Sequence, residues 1–433
     1  MTLFVSADSF RKWAQKLEAR SVFPHLIRRL VIATGTGITE VHFPAYESVQ
    51  RPGFDGVVTC TGGNAWLPTG KSVWELSTED GVASKAQRDF DKRTINPDTK
   101  TSKEEQSQAF YIFLTPRRFN QKAEWAAEQS KSPHCFWRGV RAYDADDVEQ
   151  WSESAPAGIQ AWMGRKMGVR PEGISDLADY WASISTVTEF SLLPEVFIAG
   201  RTTVVNDIED WLSREASLLS LVSRSPIEVL DFFAATVAAM PLERREQIES
   251  RTVIVHDRKS WQAIVDAIAP SNLVVDPAME LQRNEVALAI RSGHRILLAT
   301  DTDLLAKNRE TEMPRARQFE LTNALEKSGY SKGQSEQLSR ASGGSIAILK
   351  HRLTPIGTKR VPVWASGVSS EAITASLLLG GWNDEKEDVE MFAKVANRPY
   401  SDCQVDIQRM ASGRDPLLLH AANKWRLISK DFA

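Results

Sequence analysis

Two carboxylates early in the chain have the spacing of a metal-dependent catalytic site. Asp55 stands in Phe54-Asp55-Gly56 at a bend, and Glu75 follows within the apolar run Val73-Trp74-Glu75-Leu76. A pair of strands here would bring both acids over one divalent ion. Mg²⁺ needs only one or two protein carboxylates and takes its other oxygens from water and substrate phosphate. Metal held this way generates hydroxide and stabilises the transition state of phosphodiester hydrolysis. We therefore predict that Asp55 and Glu75 bind Mg²⁺ or Mn²⁺ in a nuclease centre.

The residues around this pair resemble the PD-(D/E)xK, or restriction-endonuclease-like, superfamily and its Mrr-like branch. That pattern has a helix, an Asp at the start of a strand, Glu-x-Lys on the next strand, and then a helix and two more strands. Asp55 matches the Asp and Glu75 the Glu, but Ser77 occupies the Lys position. In this superfamily the Lys can move onto the following helix and still reach the metal-bound water. The resemblance therefore implies Lys85 as the catalytic lysine, with Gln87 as a further catalytic candidate.

The neighbouring sequence supplies the elements that this site needs. Residues Ala109–Pro116 form an apolar, aromatic-rich run typical of a buried strand, and Val140–Tyr143 predicts a second strand. Asp144 is placed to cap the helix that follows. Phe10–Leu30 repeats apolar residues, Leu17 among them, at helical spacing. Six basic residues of this region are predicted to contact DNA phosphate: Arg88, Lys92, Arg93, Arg117, Arg118 and Lys122.

Composition bounds the class of protein and its partners. The 433 residues are enough for two to four domains, and 42% hydrophobic and 25% charged residues are ordinary for a globular chain. A net charge of −3 gives no overall attraction to nucleic acid, so DNA contact needs a local basic patch. Three scattered cysteines without metal-ligand spacing suit a reducing cytoplasm. No apolar run reaches the length of a transmembrane helix, and we expect no membrane partner.

The middle of the chain alternates strands and helices, which predicts a parallel sheet. The strands fall at 217–222, 253–256, 273–276 and 295–300, separated by helices of about ten to fifteen residues. This layout resembles a P-loop NTPase core, yet the first strand leads to Ser223-Arg224-Ser225-Pro226 instead of a Gly-rich loop with Lys. Ser225 and Glu228 predict a capping box instead, and Glu228 would repel phosphate. We expect that no residues bind nucleotide and that ATP is not a cofactor.

Two further features concern nucleotide binding and the end of the chain. Residues 68–72 (PTGKS) end like a Walker A motif, but they lead into the strand that carries Glu75 and not into a helix, so they are rejected. Three short helices from Pro314 to Leu353 resemble the lid of AAA-type and STAND NTPases. The helices after them, with a final apolar run at 425–429, resemble a winged helix, while a generic helical subdomain is the alternative.

Together these features predict an α/β protein of four parts. An N-terminal restriction-endonuclease-like α/β domain (1–165) is joined by a linker (166–200) to a parallel-sheet, NTPase-like domain lacking a Walker A motif (201–312). A helical lid (313–355) and a winged-helix-like part (356–433) follow. We expect that the chain is the front part of a longer protein.

The combination resembles AVAST-type antiviral STAND proteins of prokaryotes, in which a sensor binds a phage protein and the chain oligomerises. It implies a cytoplasmic, Mg²⁺-dependent endonuclease that acts on double-stranded DNA, is triggered by a phage protein, and assembles into a homo-oligomer. The alternatives are a catalytically inactive DNA-binding or scaffold protein, and a nucleotide-dependent switch with an unusual loop.

Overall fold

The protein is an α/β protein with mixed sheets, described here from a computed structural model. The structure describes residues 5–44, 53–169, 172–223, 225–266, 269–300, 311–355 and 385–411, and also 371, 372, 375, 379 and 382. The chain forms two compact units. The first contains Met1–Tyr180, Arg214–Leu218 and Met240–Leu297, and the second contains Trp181–Ser213, Leu219–Ala239 and Leu298–Ala433.

The first unit opens with a five-stranded sheet whose strands lie in chain order. Its strands are β1 (Thr36–His42), β2 (Gly56–Gly62), β3 (Gly70–Leu76), β4 (Ala109–Leu114) and β5 (Gly139–Tyr143). The first three strands are antiparallel neighbours, whereas β3, β4 and β5 are parallel. The helices around the sheet are α1 (Ala7–Trp13), α2 (Ala19–Thr34), α3 (Val82–Thr94), α4 (Lys103–Gln108), α5 (Lys122–Lys131), α6 (Ala145–Glu153) and α7 (Ala157–Met167).

Side chains alternate between two hydrophobic cores on opposite faces of this sheet, because successive residues of a strand point to opposite sides. Trp74 and Ile112 belong to the core that includes residues of α1, α2, α6 and α7. Val73 and Tyr111 belong to the core that includes residues of α3 and α5. By this alternation Glu75, two residues after Val73, lies on the α3 side of β3.

Several predicted elements of this region are present, and one expectation was wrong. β4, β5 and α3 fall where the sequence predicts them, and Asp144 caps α6 in a capping box with Asp147. The predicted N-terminal helix is instead two helices, with a break at residues 14–18. Leu17 lies in this break and is 97% exposed, so it does not belong to the apolar face.

The remainder of the first unit is a second strand group with helices between its members. It contains β6 (Ile174–Asp176), β8 (Thr252–Val255), β9 (Asn272–Val275) and the start of β10 (Arg295–Thr300), with α12 (Leu242–Glu249), α13 (Arg258–Val265) and α14 (Arg283–Arg291). β8 pairs in parallel with β9, β9 pairs in parallel with β10, and β6 pairs antiparallel with β8.

The predicted linker at 166–200 is therefore built into ordered structure. β6 lies inside it, and Arg165 forms a bidentate ion pair with Asp176, with nitrogen–oxygen distances of 2.6 and 3.0 Å. The ion pair joins residues on both sides of the predicted boundary at 165, and the pairing of β6 with β8 joins residues on both sides of the predicted boundary at 200. Three residues of strand are too short a run to show an alternating pattern.

The second unit contains the predicted lid helices and a short parallel strand pair. Its elements are α9 (Pro194–Ile198), α10 (Thr202–Ser213), β7 (Leu218–Val222), α11 (Ile227–Ala238), β11 (Thr311–Glu312), α15 (Gln318–Lys327), α16 (Lys332–Ser342), α17 (Ile346–Leu353), α18 (Lys386–Ala396) and α19 (Tyr400–Ala411); α8 (Leu177–Ser185) begins in the first unit. β11 pairs in parallel with β7. The predicted apolar run at 425–429 lies outside the described residues.

The capping box predicted at the start of α11 is absent, and Glu228 has another role. Pro226 is the N-cap, and Ser225 Oγ is buried with no hydrogen-bond partner among the described residues. The Glu228 carboxylate is 4% exposed; it accepts hydrogen bonds from Arg201, from the Ser345 hydroxyl and from the Ala347 backbone. Glu228 thus ties α11 to the first turn of α17 instead of capping its own helix.

Within the described residues, no helix has the length and apolar character needed to cross a membrane.

Candidate functional site

The pairing of β2 with β3 brings the two predicted metal ligands together. Gly56 lies opposite Trp74 and Val57 opposite Val73 in this antiparallel pair, so one further step of the register places Asp55 opposite Glu75. The backbone N–H of Leu76 donates to Asp55 Oδ2 at 2.8 Å, which fixes the first carboxylate at the end of β3. Asp55 and Glu75 both line one cavity of about 330 Å³.

The cavity collects charges of both signs from four segments of the first unit. Its lining includes four acidic and four basic side chains: Asp55, Glu75, Glu79, Asp89, Arg20, Lys85, Lys92 and Arg93. Arg20 comes from α2, Asp55 and Glu75 from the β2–β3 pair, and the others from α3 and the segment before it. Such a mixed lining can hold a cation at its acids and an anionic ester at its rim.

Glu75 is the most strongly perturbed acid in this cavity. It is 4% exposed, and burial together with repulsion from Asp55 raises its pKa to about 8, although the neighbouring Arg93 guanidinium opposes this shift. Arg93 Nε donates to Glu75 Oε1, and the same guanidinium donates to the Gly53 carbonyl and lies 4.6 Å from the centre of the Phe54 ring. Arg93 is therefore the counter-ion of Glu75 in this structure.

Lys85 and Asp89 form the second ion pair of the cavity. They lie one helical turn apart on α3, and Lys85 Nζ is 2.7 Å from Asp89 Oδ1. Asp89 is 5% exposed, and burial raises its pKa against the opposing effect of Lys85. Its second oxygen, Oδ2, is buried and has no hydrogen-bond partner among the described residues. A buried carboxylate oxygen of this kind can accept a cation or a hydrogen bond from water.

These donors fit a magnesium ion that keeps several waters. Asp55 and Glu75 supply two carboxylates, which is the number that Mg²⁺ commonly takes from a protein. Asp89 offers a third oxygen nearby, since its charge interacts with that of Glu75. In the described part of the chain, no group of three or more acidic, histidine or cysteine side chains lies close enough to enclose a metal ion. A metal held in this cavity would therefore take most of its ligands from water and substrate.

Of the two residues predicted to replace the missing lysine, Lys85 lines the cavity and Gln87 does not. Ser77 lines the cavity but is 5% exposed, and its hydroxyl accepts from the Glu79 N–H at 3.2 Å. Lys85 lines the cavity. Gln87 does not: its side-chain oxygen accepts from Trp125 at 3.1 Å and from Gln129 at 3.0 Å. Gln87 therefore braces α3 against α5, because its position two residues from Lys85 places it on another face of the helix.

Three of the six predicted DNA-contacting residues are held by internal partners. Arg93 pairs with Glu75. Arg117 donates to the Thr78 carbonyl at 2.6 Å and to the Ala14 carbonyl at 3.2 Å, and it also pairs with Asp80. Lys122 binds Asp144 at 2.6 Å and pairs with Asp147. These three side chains stabilise the fold, and their predicted role in phosphate contact has no support from the geometry.

The other three predicted contacts are exposed. Lys92 is at the rim of the cavity. The Arg88 side chain is 64% exposed and lies 2.7 Å from Glu79, and that of Arg118 is 55% exposed and lies 4.0 Å from Asp146. Exposed ion pairs of this kind are weak and exchange readily for a phosphate partner.

Sequence reasoning missed the roles of three cavity-lining residues, Asp89, Arg93 and Arg20. Asp89 was not predicted as a site residue, and Arg93 was predicted to contact DNA phosphate, whereas its partner in the structure is Glu75. The signal was present, because Lys85, Asp89 and Arg93 follow one another at intervals of four residues and so share one face of α3. Arg20 carried no local signal, since only the packing of α2 brings it to the cavity.

Comparisons with known proteins assign no family: no protein-family model, no curated protein and no solved structure matches this chain.

Proposed function

We propose that the protein is a Mg²⁺-dependent endonuclease that hydrolyses phosphodiester bonds of DNA in this cavity. The observation that carries the proposal is the convergence of Asp55, Glu75, Asp89 and Lys85 on one cavity. The order of elements also supports it. α2 and β1 precede Asp55, which lies immediately before β2. Glu75 lies on β3, and α3, α4, β4, α5 and β5 follow in that order.

The chain's own residues have distinct tasks in this proposal. Asp55 and Glu75 would hold the metal, which would activate water and offset charge on the phosphate. Lys85 orients or deprotonates the attacking water, or offsets negative charge as it develops. Arg20 and Lys92, which also line the cavity, would contact the phosphate backbone.

Nicking of supercoiled plasmid in Mg²⁺ or Mn²⁺ tests the proposal. Wild-type protein should nick the plasmid, chelation by EDTA should stop it, and Asp55→Ala and Glu75→Ala should abolish it. Lys85→Met should lower the rate by roughly 10²–10⁴-fold, the usual worth of a positioned acid–base group. Asp98→Ala and Lys131→Ala are matched controls, because both residues are exposed and lie outside the cavity. Metal-independent nicking that Asp55→Ala and Glu75→Ala leave unchanged would exclude the site.

Metal binding can be measured apart from cleavage. A ligand that binds only the folded state raises the melting temperature with concentration. Mg²⁺ should therefore raise the melting temperature of the wild type and of Lys85→Met, but not that of Asp55→Asn. No shift in the wild type would remove the metal from the proposal.

A second candidate function is DNA binding without catalysis. Ser77 at the lysine position and the Arg93–Glu75 ion pair favour it, because Arg93 neutralises Glu75 without any metal. The position of Lys85 in the same cavity as the acids argues against it. Fluorescence anisotropy with duplex DNA separates the two functions. A purely binding protein would hold DNA equally well with and without Mg²⁺ and would leave it intact.

The regulatory part of the proposal is an assembly that brings several sites onto one duplex. One such site cuts one strand, so a double-strand break needs two copies. The low net charge implies weak DNA affinity for a single chain, and linked copies gain avidity without new contacts. Double-strand cleavage should rise more steeply than linearly with protein concentration. Linear dependence on a species that light scattering shows to be monomeric would refute the assembly. A cytoplasmic, STAND-like role triggered by a phage protein remains the prediction from sequence resemblance.

A further inference from the structure

Ser175, His256 and Asp276 form a hydrogen-bonded chain distinct from the cavity. Ser175 Oγ lies 3.0 Å from His256 Nε2, and His256 Nδ1 lies 2.7 Å from Asp276 Oδ2. None of the three residues lines the cavity of the proposed nuclease site. The nucleophile–base–acid order of these contacts is that of serine hydrolases, whose triad is identified by geometry and not by position in the chain.

Strand pairing fixes the three residues in place. Ser175 lies on β6 opposite Ile254 of β8, so His256 is its diagonal neighbour two residues along β8. Val255 of β8 lies opposite Val275 of β9, and the next residues of these parallel strands are His256 and Asp276. The backbone N–H of His256 also donates to the Gly173 carbonyl at 2.8 Å.

The site stands at the carboxyl ends of two parallel strands. In open α/β sheets this edge is where ligands bind. Gly173 brings the chain into β6 with φ of 74°, and a Cβ there would lie 1.6 Å from Asp257 Oδ2, so only glycine fits. The His256 and Asp276 side chains are 33% and 24% exposed, and Ser175 is half-buried, so a small substrate can reach the chain of bonds.

The contacts of Asp276 indicate which nitrogen of His256 carries a proton. Asp276 Oδ1 accepts from the Ala278 N–H at 2.9 Å, and the hydrogen bond from His256 holds the pKa of Asp276 below its ordinary value, so the group is a carboxylate. A carboxylate only accepts hydrogen bonds, so His256 Nδ1 carries the proton. In the neutral form of the ring, Nε2 would then accept a hydrogen bond from the Ser175 hydroxyl. This is the arrangement that activates a serine.

We propose that Ser175 is a nucleophile toward acyl esters, with His256 as its general base and Asp276 as the group that orients the ring. Ser175 Oγ bonds to the ester carbonyl carbon while His256 Nε2 takes the hydroxyl proton. The carbon–oxygen bond of the leaving alcohol then breaks, and the alcohol leaves with that proton. Water, activated by the same ring, releases the acid and restores the serine.

Covalent labelling of the full chain with an alkyl fluorophosphonate tests this proposal, because the serine oxygen displaces fluoride without needing fast turnover. Mass spectrometry should find the label on Ser175. His256→Ala should slow labelling by at least about 100-fold, and Asp276→Asn should also slow it. Ser175→Ala should lose the label, while the exposed Ser107 serves as an unlabelled control in the same digest. The wild type should also hydrolyse p-nitrophenyl acetate, with Ser175→Ala reduced to background.

Two results would overturn the triad. One is absence of label on Ser175 in protein that melts normally; the other is equal labelling of the wild type and His256→Ala. Asp55→Ala should be labelled at the wild-type rate, and Ser175→Ala should keep plasmid nicking. Loss of serine labelling and loss of plasmid nicking can therefore be observed independently of each other.

Discussion

Removal of the Glu228 carboxylate should destabilise the second unit strongly, and the structure sets the size of the effect. Glu228 is the ionic partner of Arg201, whose side chain is 2% exposed, at a distance of 3.2 Å. It also accepts from the Ser345 hydroxyl and from the Ala347 N–H at the start of α17. In Glu228→Ala, the guanidinium stays buried without its counter-ion and two donors lose their acceptor.

Breaking one side of a buried ion pair costs about 3–5 kcal/mol. A domain is stabilised by only about 5–15 kcal/mol in total, so this is a large share. For a domain of 150–250 residues, 1 kcal/mol shifts the melting temperature by about 2–4 °C. We therefore expect the transition of the second unit to fall by roughly 10 °C in Glu228→Ala.

Calorimetry and urea titration followed by circular dichroism measure this effect. Glu326→Ala is the matched control, because Glu326 is an exposed glutamate on α15 of the same unit, and it should stay within about 0.5 kcal/mol of the wild type. The loss of stability in the double variant Arg201→Met/Glu228→Gln should be smaller than the sum of the losses in the two single variants. Each single variant leaves one buried charge without its partner, whereas the double variant removes both charges. A Glu228→Ala protein as stable as the control, or additive single variants, would refute the reasoning.

Three further predictions concern the first unit. Burial lowers the pKa of His294, so the unfolded chain binds a proton near pH 6.5 more readily than the folded chain does. The free energy of unfolding should therefore fall as the pH drops below about 6.5, and it should fall less in His294→Gln. Urea unfolding midpoints at several pH values would measure this difference. Gly158→Ala should destabilise the protein by more than about 1 kcal/mol, because the added Cβ would lie 2.5 Å from the Thr252 backbone nitrogen. Gly81→Ala is the control, because an added Cβ there would meet no atom within 4 Å. Equal melting temperatures of the two variants would show that the contact at Gly158 costs nothing. Asp144→Ala should cost at least about 1 kcal/mol, because this residue caps α6, accepts from the Phe119 N–H and pairs with Lys122, and thermal unfolding beside Asp98→Ala measures the loss.

Local sequence determined those elements whose signal is contained within one segment. β4 is a continuous apolar run, α6 carries its own capping box, and α16 ends at Gly343, a glycine in the left-handed conformation. Strand β1 was missed because its residues are exposed or half-buried and show no apolar alternation. The capping box predicted at Ser225 does not form, because the Glu228 carboxylate binds the buried Arg201 guanidinium and the first turn of α17 instead of the N-terminus of its own helix.

Only the tertiary structure decided which charges meet. Asp55 and Glu75 could be paired in advance because one strand pairing connects them. Arg93, Arg117 and Lys122 read alike in the sequence as exposed cations, yet each is bound to an acid that the fold brings near. Ser175, His256 and Asp276 come from separate strands, and no pattern within any one of them marks the contact. A side chain's partner depends on strand register and helix packing, and these are set by the burial of the whole core.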